Sequence, residues 1–280
     1  MRAFQGRVAV VTGAASGIGR AMAGRFAREG MRIVLADVEQ APLDRAEREL
    51  SDGGAETLAV RVDVSKPEQV QELARRTVER FGGVHVVCNN AGVGGGGAVW
   101  QQPLDDWRWV LGVNLWGVIH GVHAFVPIML ERGEEGHIVN TASMAGLLAG
   151  PGMGSYNVSK FGVVALSETL HHELKAAGGK VNVSVLCPGW VNTQIDNSGR
   201  NRPDGPLPPP AEGSPEAAMR LMMRRLLETG LDPDVVADHV FEAIQDERFY
   251  ILTHREYEAA IRARAEAIVA GREPVTPGFV

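Results

Sequence analysis

The sequence is poor in cysteine and has no basic region of the kind that binds nucleic acid. Only Cys88 and Cys187 occur among the 280 residues, and each ends an apolar run that is typical of a buried strand. Two such cysteines exclude a disulfide framework, and a reducing cytoplasm is the compartment that this composition predicts. Because the formal net charge is −6, we expect no nucleic acid partner.

Charged residues are absent from one long stretch, between Trp109 and Leu130. This stretch does contain Asn114, two histidines, three glycines and Pro127, which suit a buried helix better than a membrane span. The first residues, 1–13, lack the layout of a secretory signal because their apolar run leads into glycine rather than a cleavage site. We therefore expect neither a membrane partner nor export.

Short β-branched runs alternate with amphipathic stretches along most of the chain. The runs are uninterrupted rather than alternating, which indicates strands that are covered on both faces. Strand–helix alternation predicts an α/β fold with right-handed crossovers: a Rossmann-type, doubly wound parallel sheet of about seven strands with helices on both faces. We predict strands at 7–12, 32–37, 57–63, 84–89, 137–143, 181–188 and 248–253, and helices near 17–29, 40–50, 67–81, 103–130, 155–177 and 233–246.

The domain organisation follows from where this pattern breaks. No linker rich in Pro, Gly or Ser divides the first 190 residues, so we expect one domain over residues 1–280. Residues 192–232 are first rich in Pro and Gly and then helical and rich in Met. An insertion of this length is typically a functional lid or a disordered loop, and we predict a substrate lid. Residues 254–280 should form a C-terminal helix and tail.

A glycine-rich turn follows the first predicted strand, in the sequence TGAASGIG at 12–19. Glycines in a strand-to-helix turn let the backbone approach a pyrophosphate, and the helix N-terminus offers free N–H groups. Such a turn is weak evidence when it stands alone. Here a strand precedes it and a helix follows it within the first βα unit, so we predict a dinucleotide-binding and catalytic domain.

Asp37 ends the second predicted strand, eighteen residues beyond Gly19. An acidic residue in this place accepts hydrogen bonds from the adenosine ribose and repels a 2′-phosphate. No Arg or Lys lies within the glycine-rich turn or directly after Asp37, so the sequence favours NAD over NADP. The alternative is that Asp37 only caps the next helix. Asp63 and Val64 follow the third strand, where an adenine could rest.

Tyr156 and Lys160 lie one helical turn apart in the sequence SYNVSKFG. A free tyrosine has a pKa of about 10 and is a poor base near neutrality. A lysine ammonium on the same helix face, together with a positive nicotinamide ring, should lower the pKa of the phenol. The alternative is an exposed helical pair of little energetic value.

These motifs, with NNAG at 89–92, Asn114, NTASMAG at 140–146 and PGWVNT at 188–193, resemble the short-chain dehydrogenase/reductase family in order and spacing. The resemblance implies that Tyr156 is the acid/base and that Ser143 positions the substrate oxygen. It also implies that Lys160 tunes Tyr156 and reaches the cofactor ribose, and that Asn114 holds a relay water. For Asn114 the alternative is a satisfied core amide.

The same resemblance implies a set of cofactor contacts at the strand ends. We expect no metal site, since the histidines lack a carboxylate or cysteine at ligand spacing. The implied cofactor-binding residues are Gly13, Ser16, Gly17, Ile18, Gly19, Asp37, Asp63, Val64, Asn90, Ala91, Gly92, Tyr156, Lys160, Pro188, Gly189, Val191 and Thr193.

The expected substrate is a medium or bulky apolar secondary alcohol, aromatic or alicyclic, or its ketone. Small, sulfur-containing and aromatic residues should form the pocket, with Ser143, Met144, Tyr156 and Trp190 in contact with the substrate. Arg200 and Arg202 in the predicted lid are the candidates for a clamp on a charged substrate. The lid sequence NSGRNRP and the later ILTH are similar to bacterial benzylic-alcohol dehydrogenases that act on lignin aryl ethers.

Two other functions are compatible with parts of the pattern. A catalytically silent NAD sensor or scaffold could keep the fold, although it would have no need for an intact Asn–Ser–Tyr–Lys set. A sugar-nucleotide epimerase or dehydratase shares the Tyr–Lys pair, but it has a tighter glycine spacing and a larger C-terminal domain. The family also implies dimers and commonly tetramers, and the apolar helices 103–130 and 155–177 predict a self-association face.

Overall fold

The computed structural model describes residues 1, 3–206 and 211–276. Seven parallel strands form one sheet in the order β3-β2-β1-β4-β5-β6-β7, which confirms the predicted Rossmann-type architecture. Residues 207–210 of the predicted lid and 277–280 of the predicted tail lie outside the described residues. The strands are β1 (Val8–Thr12), β2 (Arg32–Asp37), β3 (Thr57–Arg61), β4 (Val86–Asn89), β5 (Gly136–Thr141), β6 (Val181–Cys187) and β7 (Tyr250–Leu252).

Helices cover the sheet on both faces. The crossovers place α1, α2 and α8 over one face and α3, α5 and α6 over the other, as the two main core clusters show. The helices are α1 (Gly17–Arg28), α2 (Gln40–Asp52), α3 (Pro67–Phe81), α4 (Leu104–Leu111), α5 (Gly117–Arg132), α6 (Gly154–Ala176), α7 (Pro215–Glu228), α8 (Pro233–Gln245) and α9 (Glu258–Val269).

Alternate residues of β1 enter different cores, which explains its uninterrupted apolar sequence. Ala9 and Val11 pack with α1, α2 and α8, whereas Val8 and Val10 pack with α3 and α5. Because successive strand side chains point to opposite faces, a strand covered on both faces has no position left for a solvated side chain. The run of five residues is buried throughout.

The long uncharged stretch lies within one helical segment, Leu104–Arg132, which we call the rod and which is irregular at its centre. A π-helical turn, Gly112–Trp116, separates α4 from α5, and Asn114 lies within it. Leu104–Arg132 is long and apolar enough to cross a membrane, but core helices of soluble proteins meet the same length and composition test. In the fold, α5 buries Val118, Gly121 and Phe125, a stripe of helical period that packs toward the sheet.

Several predicted boundaries differ from the structure at strand ends. The predicted strand at 248–253 contracts to Tyr250–Leu252, because β7 lies at the edge and pairs only with β6. The predicted strand at 57–63 ends at Arg61, where the chain turns toward α3. Within 192–232 the described residues form a 3₁₀ helix, Ile195–Asn201, followed by α7.

Two glycines on helices test how tightly the rod packs. A Cβ on Gly121 in α5 would lie 1.9 Å from Oδ1 of the buried Asn89, whereas a Cβ on Gly24 in α1 meets nothing closer than 3.5 Å. We expect Gly121→Ala to destabilise the fold by about 1–3 kcal/mol through overpacking. The matched change Gly24→Ala should be neutral or stabilise by up to about 1 kcal/mol, because alanine favours helix. Thermal unfolding compares the two, and equal melting temperatures would contradict the expectation.

Candidate active site

A cavity of about 330 Å³ opens at the carboxyl ends of the strands, where the strand order reverses between β1 and β4. Ligands of doubly wound sheets bind at this reversal, because the loops from neighbouring strands diverge there. The expected cofactor residues on its wall are Gly13, Ser16, Gly17, Ile18, Asp37, Asp63, Val64, Asn90, Ala91, Gly92, Tyr156, Lys160, Pro188, Gly189, Val191 and Thr193.

The glycine-rich turn fits closely under this wall. Gly13 and Gly17 have φ of 67° and 52°, a left-handed conformation that favours glycine. A Cβ on Gly19 would lie 2.1 Å from the Gly13 carbonyl oxygen, so a side chain there would push α1 away from the turn. Gly19 does not line the cavity and packs against the Gly13 carbonyl beneath it, so its predicted contact with the cofactor stays a prediction. Ser16 makes no side-chain cap, so the first N–H groups of α1 remain available to a phosphate.

Thr12 joins the first and fourth strand ends, a role that the sequence did not reveal. Its Oγ1 accepts hydrogen bonds from the backbone N–H of Asn90 at 2.9 Å and of Ala91 at 3.0 Å. The side-chain amide of Asn90 donates in return, from Nδ2 to the Thr12 backbone carbonyl at 3.0 Å. These three bonds fix the NNAG turn against the glycine-rich turn, so two walls of the cavity move as one unit.

The Asp37 carboxylate lies at one end of the cavity. It accepts from the backbone N–H of Ala15 at 3.0 Å and from that of Glu39 at 3.0 Å. Burial raises its pKa above the ordinary aspartate value, and the backbone hydrogen bonds partly oppose this effect. Asp37 faces the cavity and also supports the residue that precedes α2, so its position is compatible with both the predicted ribose contact and the capping alternative.

Ser143 and Tyr156 meet near the centre of the cavity. Ser143 begins a short 3₁₀ helix after β5, where its Oγ accepts from the Ala145 N–H at 3.1 Å and donates to the Pro188 carbonyl at 3.4 Å. Tyr156 lies in the first turn of α6, and its phenol is hydrogen-bonded to Ser143. The two hydroxyl groups therefore sit where one substrate oxygen could contact both.

The protein groups around Tyr156 raise its pKa, whereas the predicted lowering also includes the charge of a nicotinamide ring. Burial raises this pKa, and only the hydrogen bond with Ser143 lowers it. Lys160 lies with Nζ 5.6 Å from the Tyr156 ring centroid and donates to the Thr141 carbonyl at 2.9 Å. Burial lowers the pKa of Lys160 to about 8, so its own charge is costly in this place. The protein alone therefore leaves Tyr156 protonated near neutrality.

Asn114 lies behind the cavity wall and is fully buried, and its predicted role of holding a relay water stays a prediction. Its amide exchanges hydrogen bonds with Val93, accepting at 2.8 Å and donating at 2.9 Å, and donates to the Ser159 hydroxyl at 3.2 Å. Both N–H groups are thereby used, and one lone pair of Oδ1 is left for a water. These contacts agree with the core-amide alternative.

Ser159 was not predicted, although it lies within the YNVSK motif. Its hydroxyl donates to the Tyr156 carbonyl at 2.7 Å while it accepts from Asn114. The π-helical turn is thereby bonded directly to the first turn of α6. Asn114 is thus connected to the Tyr156 backbone through one intervening hydroxyl, that of Ser159.

Apolar side chains dominate the other end of the cavity. Met144 and Trp190, two of the predicted substrate contacts, line it. Trp109 of α4 and Tyr257, which precedes α9, were not predicted, and no sequence motif marks them. The apolar or aromatic wall residues at this end are Val93, Trp109, Met144, Met153, Trp190, Ile195, Met223, Leu227 and Tyr257.

Ion pairs connect the described part of the predicted lid to residues near β2 and on α4. Arg202 pairs with Asp106 of α4, and both side chains are nearly buried, with 10% and 12% exposed. Arg200 pairs with Glu39 near the end of β2. Each arginine that was a candidate clamp for a charged substrate is therefore bound to a carboxylate of the protein. Ser198 adds a neutral contact, since its Oγ accepts from the Gly94 N–H at 2.8 Å.

Comparisons with known proteins identify the family. A family model described as short chain dehydrogenase matches residues 7–204. The chain belongs to the short-chain dehydrogenase family. Its sequence is 40% identical over 263 residues to a 1-deoxy-11-beta-hydroxypentalenate dehydrogenase from Streptomyces exfoliatus, with 93% of this chain and 87% of that protein covered. It is also 34% identical over 277 residues to a CLA biosynthesis dehydrogenase/reductase from Lactiplantibacillus plantarum, with 98% and 97% covered.

A solved structure extends the likeness to the whole of this short-chain dehydrogenase. A short chain dehydrogenase/reductase from Burkholderia phymatum, crystallised in complex with NAD, has 48% sequence identity and a TM-score of 0.95, and the match covers 100% of both chains. The likeness therefore extends beyond the residues that the family model matches.

The buried Arg202–Asp106 pair offers a test of the lid. Asp106→Asn would leave the Arg202 charge nearly buried without its partner, which costs about 3–5 kcal/mol in comparable pairs. We expect the rate of limited proteolysis within residues 192–232 to rise about tenfold or more. Asp105→Asn is the matched control, because Asp105 and its partner Arg108 are 73% and 72% exposed. Equal cleavage of the two variants would show that this pair does not hold the lid.

Proposed function

We propose that this protein is an NAD(H)-dependent oxidoreductase that interconverts an apolar secondary alcohol and its ketone. The observation that carries the proposal is the meeting of Ser143, Tyr156 and Lys160 in one cavity with the glycine-rich turn and Asp37. The turn fits a dinucleotide because glycine alone leaves room for the approach of a phosphate, and Asp37 lies where ribose hydroxyls would be recognised. The relative crystallised with NAD supports this choice of cofactor.

Tyr156 would move the proton of the reaction. In alcohol oxidation its phenolate takes the hydroxyl proton, and in ketone reduction its phenol returns the proton to the carbonyl oxygen. NAD, when bound, would accept the hydride from the carbinol carbon. Ser143 would hold the substrate oxygen by a hydrogen bond that strengthens as negative charge develops on it.

Lys160 would serve two purposes from its buried position. Its ammonium lies beside Tyr156 and favours the phenolate. Lys160 carries this charge at pH values below its pKa of about 8. Thr141 accepts one of its N–H groups, and the others could reach a ribose hydroxyl. Because burial raises the pKa of Tyr156, Lys160 alone does not activate the base, and the positive nicotinamide ring would supply the additional charge.

The cavity favours a medium or bulky apolar substrate, aromatic or alicyclic. Trp109, Trp190 and Tyr257 offer flat surfaces, while Met144 and Met223 can adapt to irregular shapes. The relative named for a hydroxypentalenate supports a secondary alcohol among the substrates of the family. A small ionic substrate is disfavoured because the lid arginines are already paired.

The first experiment follows the absorbance of NADH with purified protein, NAD and a panel of secondary alcohols. The panel spans aryl, alicyclic, polycyclic and short aliphatic alcohols, with NADP in parallel. We expect turnover of bulky apolar alcohols with NAD. Turnover confined to short aliphatic alcohols would contradict the substrate class, and silence despite NAD binding would favour a sensor.

Removal of one phenol oxygen tests the role of Tyr156. We expect Tyr156→Phe to lower kcat by about 10²–10⁴, the usual contribution of a general acid or base, while NADH binding is retained. Tyr250→Phe is the matched control, because Tyr250 lies in β7 outside the cavity wall and is 43% exposed. Parallel loss of NADH binding in Tyr156→Phe would assign Tyr156 to cofactor binding instead.

The pH profile tests the link between Ser143 and Tyr156. Alcohol oxidation needs the phenolate, and burial raises the pKa of Tyr156, so kcat/KM for oxidation should increase with pH in the alkaline range. Ser143→Ala removes the hydrogen bond that lowers this pKa, so the rising limb should move to higher pH. A variant that lost rate at every pH without moving the limb would leave Ser143 with a positioning role only.

We also propose a cytoplasmic protein that forms homodimers or homotetramers. The support is two buried free cysteines and apolar side chains left exposed on the rod and on α6, among them Leu104, Trp116 and Val158. Such residues on adjacent helices are typical of an interface between copies. Sedimentation of the purified protein measures the state, and a monomer at micromolar concentration would contradict it.

A further inference from the structure

An ion pair between distant parts of the chain lies at the ribose end of the cavity. Arg200 of the lid contacts Glu39, 161 residues earlier, with Nε 3.0 Å from Oε1 and Nη2 2.6 Å from Oε2. This is a two-pronged pairing in which both carboxylate oxygens are used. Asp37, Glu39 and Arg200 all line the cavity.

The charges at this corner are coupled. The Arg200 guanidinium lowers the pKa of Glu39, chiefly through their hydrogen bond, and Glu39 with Asp37 raises the pKa of Arg200. Arg45 on α2 also acts on Glu39, and Asp196 acts on Arg200 but has its own partner in Arg224. The three residues on the cavity wall thus carry two negative charges and one positive charge.

We propose that Glu39 is a specificity-determining residue for the cofactor, because it occupies Arg200 and thereby masks a guanidinium that would otherwise bind a ribose 2′-phosphate. The inference rests on the proposed function, since it concerns the cofactor of the same site. Arginine binds phosphate and carboxylate through the same fork of N–H groups, so one partner excludes the other. Asp37 repels a 2′-phosphate by its charge. Glu39 keeps the Arg200 guanidinium paired, so that this cation cannot offset the repulsion.

Arg200 would keep its place without Glu39. Its Nη1 also donates to the Asn197 carbonyl at 2.9 Å, which fixes the guanidinium within the lid. The predicted lid is held to α4 separately by Arg202–Asp106, and Arg224–Asp196 braces it internally. Loss of the Glu39 charge should therefore expose the guanidinium to the cavity rather than release the lid.

The test is a double-mutant cycle on cofactor binding. NADH and NADPH are titrated by quenching of tryptophan fluorescence into wild type, Glu39→Gln, Arg200→Gln and the double variant. We expect Glu39→Gln to raise the ratio of NADPH to NADH association constants on the order of tenfold, as a charge-assisted hydrogen bond allows. Arg200→Gln alone should give no gain, and the double variant should lose the gain of Glu39→Gln.

Two controls sharpen the result. Glu49→Gln breaks another Arg–Glu pair, with Arg20 on α1, but lies outside this cavity and should leave the ratio unchanged. Glu39→Ala is a second variant with the same expected gain, should Glu39→Gln fold poorly.

The outcomes separate this inference from the proposed function. If Glu39→Gln and the double variant raise the ratio of NADPH to NADH association constants equally, the role of Arg200 is overturned. If Glu39→Gln binds NADH but has the same ratio as wild type, the inference is overturned as well. Wild type that binds neither nucleotide would overturn the proposed function and this inference with it.

Discussion

The reversal of strand order between β1 and β4 is the constraint on which the site depends. All seven strands are parallel, so their carboxyl ends meet at one edge, and the loops diverge where the order reverses. Thr12 then ties the two turns at the reversal, through Asn90 and Ala91. The strand order and the three hydrogen bonds between Thr12 and the NNAG turn therefore form a crevice with fixed walls. None of these contacts involves Ser143, Tyr156 or Lys160.

Burial sets the protonation states of the two titratable side chains at the centre of the site. Tyr156 and Lys160 are surrounded by protein, and burial raises the pKa of the first and lowers that of the second, so each tends toward its neutral form. In this state the phenol is a competent acid but a poor base. A positive charge that arrives with an oxidised cofactor would reverse the balance, which couples the protonation state of Tyr156 to the redox state of its partner.

Local patterns predicted the sheet and placed Tyr156 and Lys160 on one helix face, whereas long-range pairings remained hidden. The uninterrupted run in β1 reports burial on two faces, and the spacing of Tyr156 and Lys160 places them on one helix face, because both are properties of neighbouring residues. Glu39 and Arg200 lie 161 residues apart, and either would be an ordinary surface charge on local criteria. The π-helical turn around Asn114 was hidden for a similar reason: it depends on bonds to Val93 and Ser159 on other elements.

Ion pairs fix the described part of the predicted lid at both ends of the cavity. Arg200 reaches the ribose end near Asp37, while Arg202 reaches α4 beside Trp109, where apolar residues form the substrate end. The nearly buried Arg202–Asp106 pair costs more to break than the partly exposed Arg200–Glu39 pair, so the contact with α4 holds this segment more firmly than the contact at the ribose end.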